Sequence, residues 1–116
     1  MSYNDYASLN TLEDISFIAG TTYNIDYTIS ENGIPVELDG MIFSWKMSKY
    51  GVKNYVVLEK NDSQIIALDL YTRRVIITAE DSLNLKGKFS HQVIIVSSGE
   101  TYRPAQGVIT ITSAIQ

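Results

Sequence analysis

The side chains of this 116-residue chain that could do acid–base chemistry lie in one stretch, TAEDSLNLKGKFSHQVIIV, residues 78–96. Glu80 and Asp81 stand side by side, and the only histidine, His91, follows ten residues after Asp81. A histidine base needs a nucleophile within reach and a third group to orient the ring. His91 falls in register with Phe89, Val93 and Ile95, on a face that looks into a core or its edge. Ser90 must point to the opposite face, so the two cannot form a dyad within that strand. Neighbouring carboxylates rarely converge on one cleft as glycoside hydrolysis requires. Thr78, three residues before Asp81, fits a capping box, and acids favour the first turn of a helix. The stretch therefore predicts one short helical turn near residues 79–85. Leu83 and Leu85 would tuck it under a sheet, and Gly87 would release the chain into the next strand.

Other chemistries find less. There are no cysteines, which excludes disulfides, thiol catalysis and cysteine-based zinc sites. The acids Asp39, Glu59, Asp62 and Asp69 are scattered, with no D-x-D-x-D-G run for calcium. Neither G-x-x-x-x-G-K-[ST] nor G-x-G-x-x-G occurs. The expectation is no catalytic residue, no metal, no cofactor and no enzymatic activity. The net charge is −4, and the nearest approach to a basic run is TRR, with Arg73 and Arg74 at an expected turn. Nucleic-acid binding needs a positive field, so it is not expected. No apolar stretch approaches the roughly 20 residues that span a bilayer. The segment MSYNDYASLNTL lacks a basic region followed by an apolar run, so neither membrane contact nor a signal peptide is expected.

Eight tyrosines in 116 residues are many. Tyr3, Tyr6, Tyr50, Tyr55, Tyr71 and Tyr102 fall at expected strand ends, loops or the N-terminal stretch. Tyrosine offers apolar area with a polar tip and is enriched at protein interfaces and sugar-binding surfaces. It is also simply a good β former. These six are the candidate interface residues.

Period-two alternation dominates the elements that would carry these side chains. In TTYNIDYTI, residues 21–29, Tyr23, Ile25, Tyr27 and Ile29 share one face. In MIFSWKMSKY, residues 41–50, Met41, Phe43, Trp45 and Met47 do the same, which makes this the main core strand. ISFI, YVVLEK, IIALDL, RVIITA, KFSHQVIIVS and GVITITS add further strands. SENGIP and ELDG are turns; Asn32-Gly33 tolerates positive φ and Pro35 removes a ladder donor. About seven or eight short strands with turns every eight to twelve residues predict an all-β antiparallel sandwich. Residues 1–12 read as a flexible N-terminal arm and 13–116 as a single β-sandwich domain.

Two resemblances bear on function. Trp45 on an early strand and EDSLNLKGKF before a late one resemble an immunoglobulin-type sandwich. By order, Asp81 matches the turn acid, Phe89 the corner tyrosine and His91 the second cysteine. Phe89 lacks the corner hydroxyl and the disulfide is missing, so the resemblance implies an Ig-like architecture and not antibody kinship. The stretch from Ile15 to Thr112 also resembles the small β-sandwich domains of tailed-phage structural proteins, the N-terminal domain of baseplate upper proteins and related tail or fibre adaptors. The matching pieces are ISFIAGTTYNIDYTI, GIPVELDG, MIFSWKM, VVLEK, TAEDSLNLKGKF and GVITI. That resemblance implies a virion structural protein made and assembled in bacterial cytoplasm. It would bind itself and neighbouring virion proteins through strand edges, tyrosines and the N-terminal arm. A capsid decoration or head-fibre protein is a close variant. A carbohydrate-binding module is the alternative from another class, and it would need Tyr50, Tyr55, Tyr71 and Tyr102 in one exposed strip.

Overall fold

The computed structural model describes residues 10–11 and 13–113. Among these are eleven strand segments, one 3-10 turn and one turn of α-helix, and nine of the strands build two facing sheets. The strands are β1 (Asn10–Thr11), β2 (Ile15–Ile18), β3 (Tyr23–Thr28), β4 (Ser30–Glu31), β5 (Ile34–Pro35), β6 (Ile42–Lys49), β7 (Val56–Lys60), β8 (Ile66–Ala67), β9 (Thr72–Ile77), β10 (Gly87–Ser97) and β11 (Glu100–Thr112). Helix α1 spans Ala79–Ser82.

The larger sheet has the order β1-β11-β10-β6-β7, with β2 also on β11; the smaller is β3-β9-β8. β4 and β5 form a separate hairpin. Its two turn residues, Asn32 and Gly33, have φ of 52° and 80°, the pair of positive values a tight two-residue hairpin needs. The β10–β11 hairpin turns the same way on Ser98 and Gly99.

The alternation of the strands decides what is inside. Ile25 and Tyr27 of β3, with Ile29 just beyond it, Phe43, Trp45 and Met47 of β6, and Phe89, His91, Val93 and Ile95 of β10 are all buried, while their sequence neighbours, except the buried Ile94, are exposed or half-exposed. Val75 and Ile77 of β9 and Ile109 and Ile111 of β11 complete the core. Apolar burial of this kind is the main favourable term in the stability of such a sandwich.

The all-β sandwich agrees with the alternation of the sequence, but several details differ. The sheet is not wholly antiparallel: β1 and β2 both run parallel to β11. They cover an edge that would otherwise offer unpaired donors and acceptors. Asn10–Thr11 of β1 belong to the stretch read as an arm, whose other residues lie outside the described ones. Arg73 and Arg74 sit within β9 rather than at a turn. Arg74 is accommodated there because Asp26, its cross-strand partner, takes the guanidinium at 2.7 and 3.0 Å. Of IIALDL only Ile66–Ala67 is strand; Asp69 instead accepts the Tyr71 N–H at 2.8 Å and closes a turn. Leu83 is 59% exposed rather than tucked away. The buried residue of that turn is Ser82, whose Oγ accepts the Gly20 N–H at 3.0 Å. Gly20 has φ of 81°, and a Cβ there would come within 3.2 Å of Leu83 Cδ1.

Candidate functional site

His91 lies at the centre of the sandwich, fully buried. The Trp45 Nε1–H donates to Tyr27 Oη at 2.8 Å, and Tyr27 Oη lies 2.7 Å from His91 Nδ1. Indole nitrogen is a donor only. The same indole N–H also reaches His91 Nδ1 at 3.4 Å, which makes Nδ1 an acceptor; the tyrosine hydroxyl then accepts from Trp45 and donates to Nδ1, and the neutral ring carries its proton on Nε2. That Nε2 is buried with no hydrogen-bond partner among the described residues. Burial pushes the His91 pKa down from 6.5 to about 4. Burial also pushes the Tyr27 phenol well above its ordinary value, against the opposing pull of the Trp45 bond.

These three residues join the sheets. Tyr27 belongs to β3 of the smaller sheet, and Trp45 and His91 to β6 and β10 of the larger. Low surrounding dielectric strengthens each bond and would make an unpaired tip costly. The sequence carried a signal for this bridge: two polar tips, Tyr27 and His91, stand in inward registers and need partners. The ring itself is fully buried, and Ser90 lies on the other face of β10, as its register requires.

Glu80 and Asp81 have separate surroundings. Asp81 forms the expected capping box: its N–H donates to Thr78 Oγ1 at 3.0 Å, and the Thr78 N–H donates to its carboxylate at 2.9 Å. Its carboxylate also accepts from Lys60 Nζ at 2.6 Å. Partial burial works against ionisation of Asp81, but the bonds from Lys60 and Thr78 outweigh it and hold the carboxyl below its ordinary range. Glu80 is exposed. The two acids therefore frame a helix start and do not face a common cleft. Thr78→Ala is expected to lower the unfolding free energy by about 1 kcal/mol, read as a lower urea midpoint at unchanged slope. An unchanged midpoint would mean the cap contributes nothing.

The candidate interface tyrosines separate by end. Tyr50 and Tyr55 are 48% and 54% exposed. They flank the β6–β7 loop, where the Tyr50 N–H bonds the Lys88 carbonyl and the Lys49 N–H bonds the Tyr55 carbonyl. Tyr71 precedes β9 at the opposite end of the sandwich, beside Leu70, whose carbonyl accepts the Leu38 N–H. Tyr102 is half-buried against the core and pairs with Ile95, some six residues along β10 from Phe89 beside Lys49. At about 3.3 Å per residue this is roughly 20 Å. Tyr3 and Tyr6 lie outside the described residues.

At the larger sheet, a depression of about 350 Å³ is lined by Lys46, Ser48, Lys53, Ser90, His91, Gln92 and Gln106. Among the described residues no group of three or more His, Cys, Asp or Glu is placed to hold a metal ion, and no helix is long and apolar enough to cross a membrane.

The fold and its buried polar bridge define a small all-β sandwich domain. No protein-family model matches the chain, and no curated sequence matches it. Solved structures do. One is the endo-β-1,4-mannanase of Thermotoga petrophila, with TM-score 0.61 and 9% identity over 89% of this chain but only 18% of the mannanase. Another is the N-terminal domain of phage TP901-1 ORF48, with TM-score 0.54 and 13% identity over 85% of this chain and 82% of that domain. At these identities the likeness is one of fold.

Proposed function

We propose that this chain is a structural component of a bacteriophage particle, of the tail, baseplate or fibre-adaptor kind, and that it works by protein–protein assembly. It would act in the virion, after assembly in the host cytoplasm, and bind copies of itself and neighbouring virion proteins. The observation that carries the reading is the division of the exposed tyrosines between two ends of the sandwich. A sugar platform needs stacked rings in one strip, whereas an assembly unit with neighbours on two sides needs anchors on two sides. The phage domain with the same fold over most of its length supports the reading. So does the use of the titratable residues: His91, Glu80 and Asp81 are spent on bridging sheets and starting a helix, which fits a protein with no catalysis, metal or cofactor.

The architecture is read as Ig-like. With β3, β6 and β10 as the second, third and sixth strands of that fold, Tyr27 and His91 take the two positions of the inter-sheet disulfide, and Trp45 packs on them. A hydrogen-bonded bridge would then replace a covalent one in a chain without cysteine.

The alternative, a carbohydrate-binding module, draws support from the mannanase neighbour, and the scattered tyrosines weigh against it. Quantitative mass spectrometry of gradient-purified particles of the encoding phage tests the proposal. The chain is expected at a fixed ratio to the major coat subunit. Abundance in infected cells with absence from particles would overturn it.

A further inference from the structure

Resting on the assembly reading, we propose that copies of this chain associate head to tail, the lysine-rich end of one sandwich seated on the acidic end of the next. The sequence shows no basic run, but the fold makes a basic patch. Lys49 ends β6, Lys53 lies in the loop that follows, and Lys86 and Lys88 flank the start of β10 beside it. Lys88 Nζ stands 4.4 Å from the centre of the Tyr50 ring and Lys49 Nζ 5.7 Å from that of Tyr55. Both ammoniums are thereby held against exposed apolar surface, to which Val52, 41% exposed, and Val56, 39% exposed, add. Of the acids at this end, Asp81 is taken by Lys60, Glu80 is exposed on α1, and Glu13 and Asp14 are exposed before β2, separated from Lys49 by β10 and β11.

The other end has the opposite charge and a second apolar surface. Glu37, Asp39 and Asp69 are exposed in the segments before β6 and β9, which the Leu38 N–H to Leu70 carbonyl bond ties together. Glu100 adds to them at the β10–β11 hairpin. Around these acids Ile34, Ile42, Leu68 and Leu70 are 43% to 69% exposed. Arg73 and Arg103 are the cations nearby, and Arg73 is turned onto the Asp69 carbonyl at 2.8 Å.

Contiguous exposed apolar side chains mark a contact surface, and complementary fields select which surface meets which. Like ends repel here, so the favoured contact is heterologous, basic end on acidic end. Repeated, such a contact closes a ring or extends a filament.

Sedimentation velocity of the purified full chain at low and high salt tests this. Concentration-dependent association is expected, weakened by salt as screening predicts. Two charge reversals make the test specific, each checked for folding by circular dichroism. Lys49→Glu with Lys53→Glu and Lys88→Glu makes both ends acidic; Glu37→Lys with Asp39→Lys makes the second end basic. Each variant alone should associate roughly tenfold or more weakly than the natural chain, and an equimolar mixture should recover association, since each then meets an opposite end. A natural chain that stays monomeric at low salt, or folded variants that associate as well alone as mixed, would overturn the contact. Failure here is separable from failure of the particle reading: a monomeric chain still found in purified particles sinks only the head-to-tail contact.

Discussion

Lowering the pH from 6.5 to 4 is expected to remove about 3 kcal/mol from the stability of this domain. Burial depresses the His91 pKa from 6.5 to about 4 in the folded state. Above pH 6.5 the ring is neutral whether the chain is folded or not, so pH has no effect through it. Between 6.5 and 4 the unfolded chain takes up a proton that the folded chain excludes, and stability falls as pH falls. A difference of about 2.5 units at 1.36 kcal/mol per unit gives the figure of about 3 kcal/mol. Below pH 4 both states bind the proton and this slope ends. Asp26, held low chiefly by Arg74, and Asp81 act in a different window. Both carboxyls titrate below their ordinary value of 3.8 in the folded state, so their contribution is lost only as pH falls below that. Urea titrations at closely spaced pH should show the slope in the natural chain and its loss in His91→Gln, which retains an acceptor for Tyr27 but no titration. A flat profile in the natural chain would contradict the account of His91 as a neutral, enclosed acceptor.

Trp45→Ala is expected to cost about 3–5 kcal/mol, the usual range for removing a large aromatic residue from a core. Trp45 is fully buried between the sheets, and its ring centroid lies 6.2 Å from that of His91. The loss has two parts. One is the cavity and the contacts forfeited around it. The other is the donor to Tyr27 Oη, whose removal leaves a buried hydroxyl with an unmet acceptor site. Domains of this size are stable by about 5–15 kcal/mol in total, so the variant should sit close to unfolding at ambient temperature. Trp45→Phe keeps most of the volume and isolates the hydrogen-bond part, expected at about 1–3 kcal/mol. Equal urea midpoints for Trp45→Phe and the natural chain would remove the indole from the bridge.

Local patterns made much of the fold legible. Period two in β3 and β6 placed Tyr27 and Trp45 inward, Asn32-Gly33 marked its hairpin, and the spacing of Thr78 and Asp81 marked the helix start. Each is a short-range code that reads the same before and after folding. The two-residue strands β1, β4, β5 and β8 are too short to show a period. The parallel pairing of β2 with β11 joins residues more than ninety positions apart, which local spacing does not encode. The turn expected at Arg73 and Arg74 is strand instead, where Asp26 across the ladder, 48 positions away, pairs with Arg74. The candidate site was least legible for the same reason. The Tyr27–His91 bond spans 64 positions, and the lysines of the basic end come from two strands and two loops that only the fold brings together.

The central claim is that this domain is built into a phage particle. Immunogold labelling of purified particles of the encoding phage, viewed by electron microscopy, tests it most directly. Gold confined to one structural position is the expected result; label at the tail tip would mark the baseplate or fibre-adaptor form, and label on the head the decoration form. Particles free of label, with the protein abundant in the infected cell, would contradict the claim and return attention to glycan binding.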